Sequence, residues 1–180
     1  MISEDDICDY QSFLMGNMEG FESLVIRHRD SLVSFLYRYT KDIHLAQDIA
    51  QEAFVEVLIH KERYRQEMSF KTYLFTIGRN KAVDFIRKNQ KYMLVEKMSE
   101  YLEPIKGLEE VYIESEEKQL LYESLYELRQ EYQAAILLVD FEEMSYQEAA
   151  LVMGKTQGQM KVLIHRARKS LAKKMKEVIR

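Results

Sequence analysis

Two runs of this chain carry side chains suited to holding a polyanion. In the first, Ser69–Gln90 (SFKTYLFTIGRNKAVDFIRKNQ), Thr72, Thr76, Arg79, Asn80, Val83 and Arg87 share one side of a helical wheel, with Asp84 toward the edge. Cations there would neutralise phosphates and release counterions, while hydroxyl and amide groups would bond base edges. The second run follows Gly154, where Lys155, Lys161, Arg166, Arg168, Lys169, Lys173, Lys174, Lys176 and Arg180 stand against Glu177 alone. A third surface has the opposite sign: Asp48, Gln51, Glu52 and Glu56, with the apolar Val55 and Ile59 set among them. Carboxylates that steer a partner around apolar side chains that become buried suit a protein-docking face, and an acidic face is not used on DNA. Nothing points to catalysis. His28, His44, His60 and His165 are dispersed, no glycine-rich phosphate loop or nucleophile elbow occurs, and the carboxylates fall on helix faces and in a linker. No catalytic residue, metal site or cofactor is expected.

Helices must position these groups. Phe70, Tyr73, Leu74, Ile77, Ala82 and Phe85 recur at three- and four-residue steps behind Ser69, whose hydroxyl suits an N-cap. Upstream, Met1–Glu19 reads as a loosely held acidic leader with a short helix around Tyr10–Leu14. Phe21–Tyr39 carries a stripe of Phe21, Leu24, Val25, Leu32, Phe35, Leu36 and Tyr39, with Arg27, His28 and Arg29 largely off it. Asp42 is placed to cap the next helix, which runs to about His60 and has a narrow face of Ala46, Ile49, Ala50, Ala53 and Val57. Lys61–Met68 is a charged connection bearing aromatic residues.

Periodicity fades from Tyr92 to Ser115, where Pro104 and Gly107 punctuate an acidic linker. Leu121, Leu125 and Leu128 then open a helix, and Tyr132, Ala135, Ile136 and Val139 continue another. Ser145–Glu148 and Thr156–Gln159 are capping boxes on either side of the Gly154 turn, the signature of a helix-turn-helix. The second of its helices would bury Met160, Leu163, Ile164, Ala167 and Leu171 and expose Lys161, Val162, His165, Arg166, Lys169 and Lys173, as a major-groove recognition helix does.

Composition agrees with this reading. In 180 residues there are only 6 Gly and 1 Pro, which predicts an all-α protein. Cys8 is the single cysteine, the N-terminus is acidic, and the longest apolar run, Ala134–Val139, is far too short to span a bilayer. A soluble cytoplasmic protein without membrane insertion is expected. The net charge of −4 conceals the segregation of charge, and two basic segments in an acidic chain suggest two contacts with one polyanion. The expected organisation is two small helical domains, 1–95 and 115–180, joined by a flexible linker at 96–114.

With these residues assembled, the chain resembles the extracytoplasmic-function (ECF) sigma factors of bacterial RNA polymerase. Asp48-Ile-Ala-Gln-Glu-Ala-Phe54 resembles the region-two helix that docks on the polymerase clamp. Ser69 through Asp84 resembles the motif facing the −10 promoter element. The run from Tyr132 through Ser145–Ala150 to His165-Arg-Ala-Arg168 resembles region four, which reads the −35 element. The resemblance implies an alternative sigma factor that binds core RNA polymerase, through the β′ clamp and the β flap, and directs initiation at chosen promoters. It implies polymerase contacts at Asp48, Gln51, Glu52, Val55 and Glu56. It places −10 contacts at Arg63, Arg65, Lys71, Thr72, Thr76, Arg79, Asn80, Arg87 and Lys88. It places −35 contacts at Gln157, Gln159, Lys161, Val162, His165, Arg166, Lys169 and Lys173. A cognate anti-sigma factor, often membrane-anchored, is implied as a further partner. Tyr73 stands where the family commonly has Trp, Gly78 where Ala is usual, and Arg129 where Pro is frequent. In the recognition helix Gln159, Met160, Val162 and Leu163 depart from the common run, which points to a distinct promoter sequence. Two other readings fit parts of the chain. An autonomous helix-turn-helix regulator leaves the acidic face unexplained, and a polymerase-binding decoy rests on the altered recognition helix alone.

Overall fold

The computed structural model describes residues 3–96 and 116–178, and among them every regular element is helical. A first group comprises α1 (Glu4–Leu14), α2 (Met18–Thr40), α3 (Ile43–Ile59), a tight turn at Lys61–Arg63 and α4 (Phe70–Glu96). A second comprises α5 (Glu116–Tyr126), α6 (Gln130–Ile136) with a wider turn at Leu137–Phe141, α7 (Tyr146–Met153) and α8 (Gln157–Val178). α4 is still helical at Glu96, and most of the stretch expected as linker, 97–114, lies outside the described residues.

α2 is the central element of the first group and packs against α1, α3 and α4. Leu24, Leu32, Phe35 and Leu36 are buried along it. The small residues predicted on α3, Ala46, Ala50 and Ala53, are all buried, and their size lets its backbone come close to its neighbours. Asp42 caps α3 as expected, accepting from the amides of His44 at 2.8 Å and Leu45 at 3.1 Å. Phe70, Leu74, Phe75 and Ala82 carry α4 into the same core.

The leader departs from expectation. Tyr10 and Phe13 are buried, and the Tyr10 hydroxyl donates to the Lys61 carbonyl at 2.7 Å. Asp6 is buried against His28, with Nε2 at 3.0 and 3.1 Å from its two oxygens, and also accepts from Arg27 at 2.5 Å. Arg27 reaches on to Asp9 at 2.7 Å. Burial pushes the Asp6 carboxyl up, but the bonds and charges of His28 and Arg27 outweigh it and hold the group below its ordinary value. A hydropathy pattern reads Asp6 and His28 as surface residues, because it cannot see that each supplies the other's partner. Gly20 is what lets α1 lie so close, since a Cβ there would stand 2.3 Å from the Asp9 carbonyl oxygen.

In the second group both capping boxes form. Ser145 Oγ accepts from the Glu148 amide at 3.2 Å while Glu148 accepts from the Ser145 amide at 2.9 Å. Thr156 and Gln159 exchange the same pair of bonds at 3.2 and 2.9 Å. Gly154 turns the chain between them at φ +64°, a conformation that favours glycine. Met160, Ile164 and Ala167 are buried beneath α8 against α6 and α7, whereas Leu163 and Leu171 are only half-buried.

Candidate nucleic-acid and polymerase interfaces

α8 presents Gln157, Gln159, Lys161, Val162, His165, Arg166, Lys169 and Lys173 as exposed side chains, because Met160, Ile164 and Ala167 take the opposite side into the core. Gln159 is partly engaged, since its side-chain oxygen serves the Thr156 amide and leaves only its NH2 for a ligand. Arg166, Lys169 and Lys173 line a shallow basic depression together with Arg129, Tyr132 and Lys176. Arg129 was noted in the sequence only as a departure from a family pattern. Its guanidinium lies 4.5 Å from the centre of the Tyr132 ring, which braces it beside α8. If Lys169 contacts a phosphate, Lys169→Ala weakens binding across DNA sequences and lowers the slope of log K against log salt by about 0.9. A salt titration in which the slope stays at the parent value removes Lys169 from the phosphate contacts.

The polar side of α4 is divided. Arg63 and Arg65 on the preceding connection, and Asn80, Arg87 and Lys88 on the helix, are exposed. The inner residues are covered by the second group, because α4 packs on α7. Thr72, expected on an open polar face, is fully buried. Its hydroxyl lies 2.7 Å from Ser69 Oγ and 3.4 Å from a Glu148 carboxylate oxygen, to which Ser69 Oγ also donates at 3.0 Å. Lys71 Nζ meets the Glu142 carboxylate at 2.7 Å. Thr76 returns its hydroxyl to the Thr72 carbonyl at 2.7 Å. The Arg79 guanidinium lies under the helix-turn-helix turn, 3.3 Å from where a Cβ on Gly154 would stand, and donates to Asn80 at 3.3 Å. Its Nε is buried with no hydrogen-bond acceptor. Burial pushes the Glu148 carboxyl up, yet its bonds from Ser145 and Ser69 prevail and hold it below the usual carboxylate range.

On α3 the acidic and apolar components separate. Gln51 and Val55 line an apolar groove between α2 and α3, whose walls include Phe21, Val25, Val33, Phe54 and Leu58. Val55 is 43% exposed and Ile59, beside it, 66%. Asp48 and Glu52 on the same helix are exposed. Glu56 is drawn toward α4 by Lys81 at 2.9 Å, and Lys81 lies 3.8 Å from Glu52. The α2 wall was not foreseen, because the sequence pattern along α3 says nothing about which residues of another helix complete a groove.

Among the described residues no cluster of His, Cys, Asp or Glu is arranged to hold a metal ion, and no helix is long and apolar enough to cross a membrane. An apolar groove on an acidic helix, a split basic helix and a basic helix-turn-helix together define a class of DNA-reading transcription proteins that also dock on another protein.

Comparison with known proteins narrows the class. Residues 24–92 match Sigma-70 region 2, and residues 118–171 match Sigma-70, region 4. The ECF sigma factor SigM of Bacillus subtilis (strain 168) is 32% identical over 149 residues, which cover 80% of this chain and 88% of SigM. The sigma factor YlaC of the same organism is 27% identical over 169 residues, covering 89% of this chain and 95% of its own. The sigma factor RpoE of Bartonella quintana, solved in complex with the anti-sigma factor NepR, shares the fold at a TM-score of 0.72 and 22% identity, over 87% of this chain and 96% of its own. CnrH, solved with the cytosolic domain of CnrY, does so at 0.62 and 24%, over 94% and 96%. The chain belongs to the ECF family of RNA polymerase sigma factors. It is an alternative sigma factor, which binds core RNA polymerase and directs initiation at particular promoters, and its family is not known to be enzymatic.

Proposed function

We propose that the work is divided along the chain as its two basic surfaces and one groove suggest. Residues 1–95 form the domain that docks on polymerase and contacts the −10 element, 96–114 join it to the next, and 115–180 form the −35-reading domain. The observation that carries this division is the apolar groove between α2 and α3, on helices other than the two that carry the basic surfaces. Gln51 and Val55 lie in the contact with the β′ clamp, with Asp48 and Glu52 of the same helix steering and Glu56 held back by Lys81. Arg63, Arg65, Asn80, Arg87 and Lys88 meet the −10 region first, and Lys71, Thr72, Thr76 and Arg79 join them once uncovered. The exposed side of α8 enters the major groove at the −35 element, with the second domain resting on the β flap. The chain itself performs no chemistry, and promoter opening is driven by the holoenzyme.

The protein acts in the cytoplasm, where core polymerase and promoter DNA are found. An anti-sigma partner is also proposed. Support comes from two proteins of the same fold, one solved bound to the anti-sigma factor NepR and the other to the cytosolic domain of CnrY. An autonomous DNA-binding regulator is disfavoured, because it has no use for the docking groove.

The test is run-off transcription with purified core polymerase on a randomised promoter library. Initiation that depends on the chain and begins downstream of a recurrent −10 and −35 pair is expected. A library that yields no chain-dependent transcripts overturns the reading.

A further inference from the structure

We propose that the free chain keeps the inner half of its own −10 face covered, with two carboxylates of the second domain standing in for promoter DNA. This inference rests on the assignment of that face to DNA. Glu148 takes the hydrogen bonds of Ser69 Oγ and Thr72 Oγ1, and Glu142 takes the charge of Lys71. Of these donors Lys71 and Thr72 belong to the −10 face, and a carboxylate presents to them the same kind of oxygen acceptor as a phosphate or a base edge. Away from these carboxylates the domains are joined by different contacts. The Arg38 guanidinium stacks 4.8 Å above the Tyr126 ring, and Lys41 Nζ donates to Gln133 at 3.1 Å.

The closed arrangement is built to release. Each donor named here would exchange a carboxylate for an oxygen acceptor of the DNA, a phosphate carrying the same single charge, so DNA competes directly for the same atoms. Arg79 is released with them. Its guanidinium end lies against the Gly154 turn, and lifting the turn away returns it to water and to DNA. Glu148 links the two states, because one carboxylate both caps α7 and closes the latch. Separating the domains frees it from Ser69 while its bond to the Ser145 amide persists, so the helix-turn-helix stays formed as the face opens. Binding that uncovers the inner half of α4 thereby also frees the second domain to seek its own element.

The experiment uses the full chain, labelled with a donor and acceptor dye at Cys8, the only cysteine and an exposed one, and at an introduced Lys176→Cys. Energy transfer between the dyes follows separation of the domains, and an unlabelled oligothymidylate serves as the single-strand probe. Glu142→Gln removes the charge facing Lys71, and Tyr126→Ala removes the ring beneath Arg38 without touching any proposed DNA contact. Glu127→Gln, whose carboxylate pairs with Lys174 inside the second domain, changes net charge equally and is the control. Both latch variants should lower transfer and bind the oligonucleotide more tightly, by about tenfold for the loss of one charge-assisted contact in Glu142→Gln and about threefold to tenfold for the loss of the cation–π contact in Tyr126→Ala. The control should match the parent. Transfer and affinity unchanged in both latch variants, with helical content intact by circular dichroism, overturn the proposal. Run-off transcription by the unlabelled parent separates the two ideas. An active parent with unresponsive latch variants refutes only the latch, whereas an inactive parent refutes the assignment of the face.

Discussion

Val55→Asp is expected to abolish productive binding to core polymerase while leaving the fold intact. Val55 is 43% exposed and lines the apolar groove beside Leu58 and Phe54. In the free protein water still reaches an aspartate there, and Val and Asp have similar helix propensities, so stability should shift by less than about 0.5 kcal/mol. In the complex the same carboxylate would be taken from water at the centre of the contact, where Arg29 is the one cation among the residues lining the groove. Desolvating an unpaired charge costs several kcal/mol, so the dissociation constant should rise by about a hundredfold or more. Fluorescence anisotropy with labelled chain and core polymerase measures this directly, with run-off transcription falling in parallel. A dissociation constant within about twofold of the parent's would falsify the assignment of the groove.

The second large effect concerns stability. Gly20→Ala places a methyl group where the Asp9 carbonyl oxygen lies 2.3 Å away, with the Phe13 amide nitrogen and Ser12 Cβ both at 3.1 Å. Two of those three neighbours are backbone, so no side-chain rotation relieves the clash and α1 must shift or detach. Detachment exposes Tyr10 and Phe13, each contributing on the order of 2 kcal/mol by burial, and separates Asp6 from His28. The usual gain of Ala over Gly in a helix, about 1 kcal/mol, opposes this but does not match it. A net loss of about 3–5 kcal/mol is expected, read as a lower urea midpoint. A midpoint equal to the parent's would show that α1 contributes nothing to holding the first domain together.

These expectations also show which structural features were legible from sequence. The capping boxes at Ser145 and Thr156 were plain because each is a local arrangement, complete within four residues. The buried face of α3 was plain because helical periodicity reports which residues face inward together. Thr72 was misplaced for the complementary reason. Periodicity within α4 puts it on the polar side, and what buries it is Glu148, far along the chain and in the other domain. Phe75 was overlooked because it falls between the two stripes read along α4, yet it is fully buried against Phe35. Asp6 and His28 share this difficulty, since charged residues that bury one another leave no trace in hydropathy. The recognition helix needed no such long-range knowledge, and its exposed residues all lie where the spacing placed them.

The contact between Arg79 and the turn at Gly154 bears on modular engineering. Chimeras that join the promoter-reading modules of different sigma factors treat the two domains as independent parts. Here the glycine that lets the helix-turn-helix bend also makes room for a guanidinium of the other module. A transplanted second domain with any larger residue at that turn would press on Arg79, and one lacking carboxylates at the positions of Glu142 and Glu148 would leave Lys71 and Thr72 without their acceptors. Such hybrids would retain both recognition surfaces and lose the coupling between them. Exchanging modules in this protein therefore alters its resting state as well as its promoter.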